Sequence, residues 1–332
     1  MAFPKEVVRK LVLAAVSAGV TYGLVGQALW LWNHRLSGQR LSTAQEIEAY
    51  HADGYSYGLY RYHPRRQVTL RPDHRGLRHG MRGLWMRTDS RGLAFDEALP
   101  EDGPAVLVLG DSVAFGSWVP YGDSFPGVLQ REFPALRVFS GATESYSLRQ
   151  IVDLYGEVRG DWSQLIYVWV ANDFYEWRFR ETPFASDPRG ARPQPINLFD
   201  FRDLWWRLTD AFAGGPDGLT GDDAMAWNRH RYADHFRLIE ALNADGNLTV
   251  VLTYVRPQLD AARYEPQRRL AAGLERLGVP VIETLEFYEQ YRLDSGDPFV
   301  TETDHVHFHA EASGAWSKAV ADSLRQAGVL PP

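Results

Sequence analysis

The chain has 332 residues, of which 45% are hydrophobic and 23% charged, a balance that excludes wholesale disorder and collagen-like repeats. The net charge of −7 argues against a surface built throughout for nucleic acid. With no cysteine, disulfide scaffolds, thiolate zinc sites, cysteine-ligated iron–sulfur clusters and cysteine nucleophiles are all excluded.

Leu11 to Trp32 is a run of 22 uncharged residues, long enough as a helix to cross a bilayer. Lys5, Arg9 and Lys10 precede it, and Trp30 and Trp32 stand at its far end. This places the basic end in the cytoplasm and an aromatic belt at the outer face. Residues 1–40 therefore read as a short cytoplasmic stub and a transmembrane signal-anchor. The expected location is the inner membrane, single-pass, with the rest of the chain on the external (periplasmic) side. A buried core helix and a cleavable signal peptide ending near Gly26 and Ala28 are the alternatives.

Residues 41–100 form an extension expected to pack on the main domain, helical at first and then broken into short strands and turns. From Tyr57 to Gly92 it carries nine arginines against Asp73 and Asp89. Such a stretch suits anionic headgroups or an acidic polysaccharide, or simply a solvated basic face beside an acidic domain.

A strand–helix alternation begins at Pro104. Ala105–Leu109 is a continuous apolar run, as a strand buried on both faces requires. Helix is expected over 125–133 and strand over 136–140. Helix follows over 148–159 and strand over 165–170. Then come a long helix over 222–244, strand over 248–254, helix over 264–277, strand over 279–284 and a closing helix over 310–327. The order implies a doubly wound α/β domain over 101–330, with a central five-stranded, mostly parallel sheet and reactive groups at the carboxyl ends of the strands. The sequence holds no P-loop and no G-x-G-x-x-G opening a helix, so no nucleotide cofactor is expected. An insert over about 174–220, rich in Phe, Tyr and Trp, has the length of a lid or binding element; a satellite core under a loop is the plainer alternative.

Three groups carry chemistry. Leu109-Gly110-Asp111-Ser112 follows the first buried strand and puts a serine on a strand-to-helix turn. Ala114 stands where a G-x-S-x-G elbow needs its second glycine, so this is a different turn. Asp304-His305-Val306-His307 precedes the closing helix. There Asp304 can orient His307, and His307 can act as base for Ser112. Gly141 and Asn172 follow the second and third strands. With the Ser112 N–H, the Gly141 N–H and the Asn172 amide are candidate donors to an oxyanion. Asp111 is expected to bond backbone groups of its own turn. His305 and His309 share a face with His307 if the segment is extended, which raises a metal site; no carboxylate or thiolate cluster reinforces it, and none is expected.

These blocks, in this order, resemble the SGNH (GDSL-type) hydrolases: Ser112 in Gly110-Asp111-Ser112, Gly141, Asn172 in Ala171-Asn172-Asp173, and His307 in Asp304-x-x-His307. The stretch Gly110 to Gly116, and Thr88-Asp89-Ser90-Arg91-Gly92 upstream, are similar to bacterial membrane-linked members. The resemblance spans about 87–327. It implies a flavodoxin-like three-layer α/β/α domain and a serine esterase or acyltransferase. Aligned on Tyr146-Ser147, Ala142 replaces the family's first glycine and Ser145 its second, so the second donor is either Gly141 or Ala142. Val170 stands where the third block has glycine.

The expected partners are an ester-bearing small molecule, glycan or lipid of the cell envelope, O-acetyl esters foremost, and the membrane through residues 11–32; no nucleic acid is expected. An O-acyltransferase using the same site and a catalytically silent glycan- or partner-binding module are the competing readings.

Overall fold

A computed structural model of the chain describes residues 59–63, 65–77, 85–144, 146–170, 235–262, 264–301 and 304–331. The apolar run 11–32, the helix expected over 41–58, the aromatic insert and Asn172 lie outside the described residues. Among the described residues no helix is long and apolar enough to cross a membrane.

The strands are β1 Tyr60–His63, β2 Gln67–Leu70, β3 Arg75–Leu77, β4 Trp85–Thr88, β5 Ala94–Phe95, β6 Ala105–Gly110, β7 Arg137–Ser140, β8 Trp162–Trp169, β9 Leu248–Leu252 and β10 Val281–Glu283. The helices are α1 Ser112–Phe115, α2 Phe125–Glu132, α3 Leu148–Val158, α4 Arg256–Ala261, α5 Glu265–Arg276, α6 Leu285–Asp294 and α7 Ala310–Gln326. Residues 235–242 are also helical, the described part of the long helix expected there.

Five strands run parallel in the order β10-β9-β8-β6-β7. The chain passes from β6 to β7 on one side, then crosses back to β8 on the other. This is the flavodoxin-like order, with its switch point between β6 and β8. The sheet is larger than the five strands expected. Among the described residues it has eight, because β5, β4 and β3 continue it antiparallel beyond β7. Part of the arginine-rich extension therefore joins the sheet edge. An unpaired edge offers a row of free N–H and C=O groups. The two residues of β5 cover it, Ala94 opposite Ser140 and Phe95 opposite Phe139. β1 and β2 form a separate hairpin.

Side chains alternate across the sheet with period two. Val106, Val108, Ile166, Val168 and Val251 face one layer, where α2, α6 and α7 supply Phe125, Leu129, Tyr288, Trp316 and Val320. Leu107, Leu109, Leu165, Tyr167, Val250 and Leu252 face the other, with Ile151 and Leu154 of α3, Ile239 and Leu242, and Leu270 and Leu274 of α5. Both faces are buried, which is why these strands read as unbroken apolar runs.

The extension's charges are also placed differently from a solvated basic face. Arg66 is 2% exposed and donates to Asp153 at 2.7 Å and Glu157 at 2.8 Å, both on α3. Arg65 adds a second pair of contacts to the same carboxylates. The Arg66 bond holds Glu157 down to about 2, against the opposing effect of its burial. Arg91 bonds Asp89 and stacks over the rings of Phe139 and Trp162, while Arg87 pairs with Glu97. These arginines brace the extension instead of presenting free charge.

Candidate active site

Ser112 begins α1 one residue after Asp111, at the carboxyl end of β6 and beside the switch point. Gly110 makes this seat possible. Its φ is +154°, and a Cβ there would sit 2.6 Å from the Ala114 Cβ and 3.0 Å from the Val168 carbonyl. Only glycine lets the chain turn this tightly between β8 and α1. Asp111 is fully buried, and its Oδ1 accepts the Val113 N–H at 2.9 Å, so it caps the turn as expected. Ser112 itself is 9% exposed.

The second half of the site comes from 195 residues further along the chain. His307 Nε2 lies 2.8 Å from Ser112 Oγ, and His307 Nδ1 lies 2.8 Å from Asp304 Oδ2. The other oxygen of Asp304 accepts the backbone N–H groups of Val306 (3.0 Å) and His307 (2.9 Å). Burial pushes the Asp304 carboxyl upward. The N–H donors of His307 and Val306, with the His307 ring, outweigh that and hold it below the usual carboxylate range. An ionised Asp304 fixes the proton on Nδ1, leaving Nε2 as the acceptor facing the serine.

The segment carrying His307 is held by means that spacing alone does not reveal. Phe299 and Phe308 form an antiparallel bridge, with the Val300 N–H donating to the His307 carbonyl at 2.9 Å and the His309 N–H to the Pro298 carbonyl at 3.1 Å. Their rings stack at 6.0 Å and 5°, and Phe308 also meets Tyr288 of α6 and Trp316 of α7. Because alternate residues of an extended strand point to opposite sides, Phe308 buried in this cluster turns His307 outward toward Ser112. Arg256 braces the same loop. Its Nη2 reaches the Thr301 carbonyl and Asp297 Oδ2, each at 2.8 Å, its guanidinium lies over the Phe299 ring, and its backbone N–H donates to the His305 carbonyl. Thr301 Oγ1 accepts the Asp304 N–H at 3.0 Å. None of these supporting residues stood out in the sequence. The alternation His305-Val306-His307-Phe308-His309 before a helix start was the only trace, since a buried ring beside an outward histidine is strand alternation.

One expected donor is not available. The Gly141 N–H is committed to the Val108 carbonyl at 2.9 Å, continuing the parallel ladder one residue past β7. Its Cα faces Leu154, Leu109 and Leu93, so the missing side chain makes room for the core rather than for a ligand. The assignment of Gly141 to an oxyanion site is corrected accordingly. The neighbouring Ala142 N–H makes only a 3.3 Å bond to Ser140 Oγ, at the long end of the range. Ser112 opens α1, where a backbone N–H has no partner within the helix.

The three histidines do not form a metal set. His305 is exposed, His307 is engaged with Ser112 and Asp304, and His309 Nδ1 accepts the Ala312 N–H as the cap of α7. Among the described residues the grouping with metal-ligand spacing is His63, Asp153 and Glu157. Its two carboxylates are already paired with Arg65 and Arg66.

No family model and no curated protein matches the chain. Solved structures similar to it include a member of the lipolytic G-D-S-L family from Veillonella parvula, at 12% identity and a TM-score of 0.40, over 66% of this chain and 97% of that one. A lipase/acylhydrolase from Enterococcus faecalis is similar at 10% identity and a TM-score of 0.41, over 68% and 96%. LAE5, an α/β hydrolase enzyme from the metagenome of Lake Arreo, Spain, is similar at 15% identity and a TM-score of 0.42, over 69% and 97%.

Proposed function

We propose that the protein is a serine esterase of the SGNH type that cleaves acyl esters, O-acetyl groups foremost, from cell-envelope glycans or lipids. The observation that carries this reading is the continuous line Ser112 Oγ–His307–Asp304, two contacts of 2.8 Å each. A serine hydroxyl is a weak nucleophile until an oriented base takes its proton.

In the proposed reaction Ser112 Oγ attacks the ester carbonyl as His307 Nε2 takes its proton. Asp304 stabilises the resulting imidazolium. The Ser112 N–H and the Ala142 N–H, with the Asn172 amide, are the proposed donors to the tetrahedral oxyanion. His307 then protonates the departing alkoxide and leaves an acyl-Ser112. Water, activated by the same histidine, hydrolyses that ester and restores the serine; a sugar hydroxyl in place of water would make the enzyme an acyltransferase. Residues 11–32 are the proposed membrane anchor, and alkali-resistant sedimentation with membranes tests this separately.

A fluorophosphonate probe tests the site. Labelling of the full chain, abolished in Ser112→Ala and His307→Ala, is the expected result. A folded wild-type chain that takes no label is a binding module, and the esterase reading falls. Transfer of acetyl to added oligosaccharide faster than release of acetate would identify the acyltransferase.

A further inference from the structure

Trp118 is unusual on two counts. Its φ is +74°, and the other described non-glycine residues with positive φ are Asp73 and Ala262. Aspartate tolerates this region, and Ala262 carries a single methyl at the end of α4. A bulky aromatic residue there is a true outlier. Trp118 is also 52% exposed, while its neighbours Ser117 and Val119 are 7% and 1% exposed.

The strain persists because both neighbours are fixed. The Ser117 N–H donates to the Ser112 carbonyl at 3.0 Å, and Ser117 Oγ donates to Glu144 at 2.7 Å. The Val119 N–H donates to the Gly116 carbonyl at 3.3 Å. Glu144 in turn accepts from the Tyr60 hydroxyl at 3.2 Å, which ties the turn to β1. Trp118 Cα therefore stands one peptide, about 3.8 Å, beyond a residue bonded to the nucleophile's own carbonyl. The same loop touches the other half of the site. The Asp123 carbonyl accepts from Ser313 Oγ in the first turn of α7, just after the His307 segment. The loop that carries Trp118 is thus bonded to the Ser112 carbonyl, to Glu144 two residues after Ala142, and to the first turn of α7 that follows His307.

A ring held there at the expense of backbone strain and left half in water has no packing role that explains it. We infer that Trp118 is the platform on which a sugar ring of the ester substrate stacks; this rests on the esterase reading. An acyl chain needs a concave site that removes it from water on most sides. A half-exposed indole instead suits the flat C–H face of a pyranose, whose hydroxyls stay hydrated around the edge. The substrate class is then an O-acylated glycan, with the acyl group at Ser112 and the sugar ring on Trp118.

Trp118→Gly and Trp118→Ala, in the full chain, test the inference. Both remove the ring, but only glycine also removes the strain, so the glycine variant is expected to melt higher than the alanine variant. On O-acetylated xylo- and chito-oligosaccharides, kcat/KM of Trp118→Gly is expected to fall about tenfold further than on p-nitrophenyl acetate. An equal fall on both overturns the inference, as does a selective fall on p-nitrophenyl octanoate, which would assign the ring to the acyl chain. Saturation-transfer NMR with Ser112→Ala gives a readout free of catalysis. Oligosaccharide binding that is lost on adding Trp118→Gly supports the platform even if the wild type hydrolyses nothing, a result that would overturn only the esterase reading. Binding retained in the double variant, or absent from Ser112→Ala itself, overturns the platform.

Discussion

Ser112 and His307 are held 2.8 Å apart by two kinds of architecture. Ser112 sits on the sheet: β6 lies between β7 and β8, its side chains are buried on both faces, and the tight turn at Gly110 leaves the serine one place to go. His307 sits on a loop with no strand beneath it. A two-residue bridge, a stack of four aromatic rings and one arginine hold it. The seat of Ser112 is inseparable from the fold, whereas His307, the proposed base, can be disturbed while the fold stands. The two regions should therefore respond differently to substitution.

The sharpest contrast is between His307→Ala and Gly110→Ala. Removing the His307 imidazole should lower kcat/KM by roughly 10⁴–10⁶-fold and shift the urea midpoint far less than Gly110→Ala does, since the ring lies at a partly exposed site outside the sheet. Gly110→Ala drives a Cβ against Ala114 and the Val168 carbonyl at a strained φ. It should remove about 2–4 kcal/mol of stability and the activity with it. A stable, inactive Gly110→Ala would mean that the seat adjusts independently of the sheet, and the contrast would dissolve.

The sequence made one region far more legible than the other, for a physical reason. A parallel strand buried on both faces is a continuous apolar run, and Gly-Asp-Ser at its end marks a turn; both signals are local. The pairing of Asp304 with His307 is also local, three residues apart. What supports it is not. Phe299, Phe308, Tyr288, Trp316 and Arg256 come from five separate places and meet only in the fold. Helix α6 went unseen because Phe287, Tyr288 and Tyr291 are interleaved with Glu286, Glu289 and Arg292, and such aromatic-rich stretches carry as much strand propensity as helical period. β5 has two residues, too few for any alternation to show. The role expected of Gly141 failed because sequence cannot show how far a ladder runs. One more bond, to Val108, converted a free donor into part of the sheet.

Acid should act on the sheet side first. His235 is buried against β8, its Nε2 accepts the Trp169 indole N–H at 2.9 Å, and burial lowers its pKa to about 3. The native state therefore holds it neutral. Its contribution is complete above about pH 6.5 and declines as pH falls toward 3, because the unfolded chain takes up a proton that the native chain refuses. At about 1.4 kcal/mol per pH unit, roughly 2 kcal/mol should be lost between pH 6.5 and 5. His235→Gln, whose carbonyl can accept from the same indole, should show a flatter stability–pH curve in urea titrations. His63, also lowered by burial and by Arg66, acts in the same direction, so the difference between the two proteins is the quantity to read. Identical slopes would remove His235 from the account.

Phe308→Leu tests the aromatic half of the His307 support. It keeps an apolar side chain of similar reach, so stability should fall by only about 1 kcal/mol. The stack with Phe299 would be gone, and a slackened His307 should lower kcat by roughly tenfold or more, since small misplacements at a reacting centre are expensive. The fluorophosphonate label should still form, more slowly. An unchanged kcat would mean that the backbone bridge alone sets the histidine.

Arg256 separates the backbone support from the side-chain support. Arg256→Met keeps most of the stem against Phe299 and keeps the backbone bond to His305, but releases the Thr301 carbonyl and Asp297. Asp297 is 43% exposed and can return to water, so stability should change by about 1 kcal/mol or less. The freed Thr301 is the residue whose hydroxyl steadies the Asp304 N–H. The effect should thus reach His307 through Asp304, as a severalfold fall in kcat with KM little altered and the pH profile of kcat/KM displaced. A fall as deep as that of His307→Ala would make the arginine, rather than the aromatic stack, the element that decides where the base stands. A fall confined to KM would place Arg256 against the substrate and leave the loop's geometry to the rings alone.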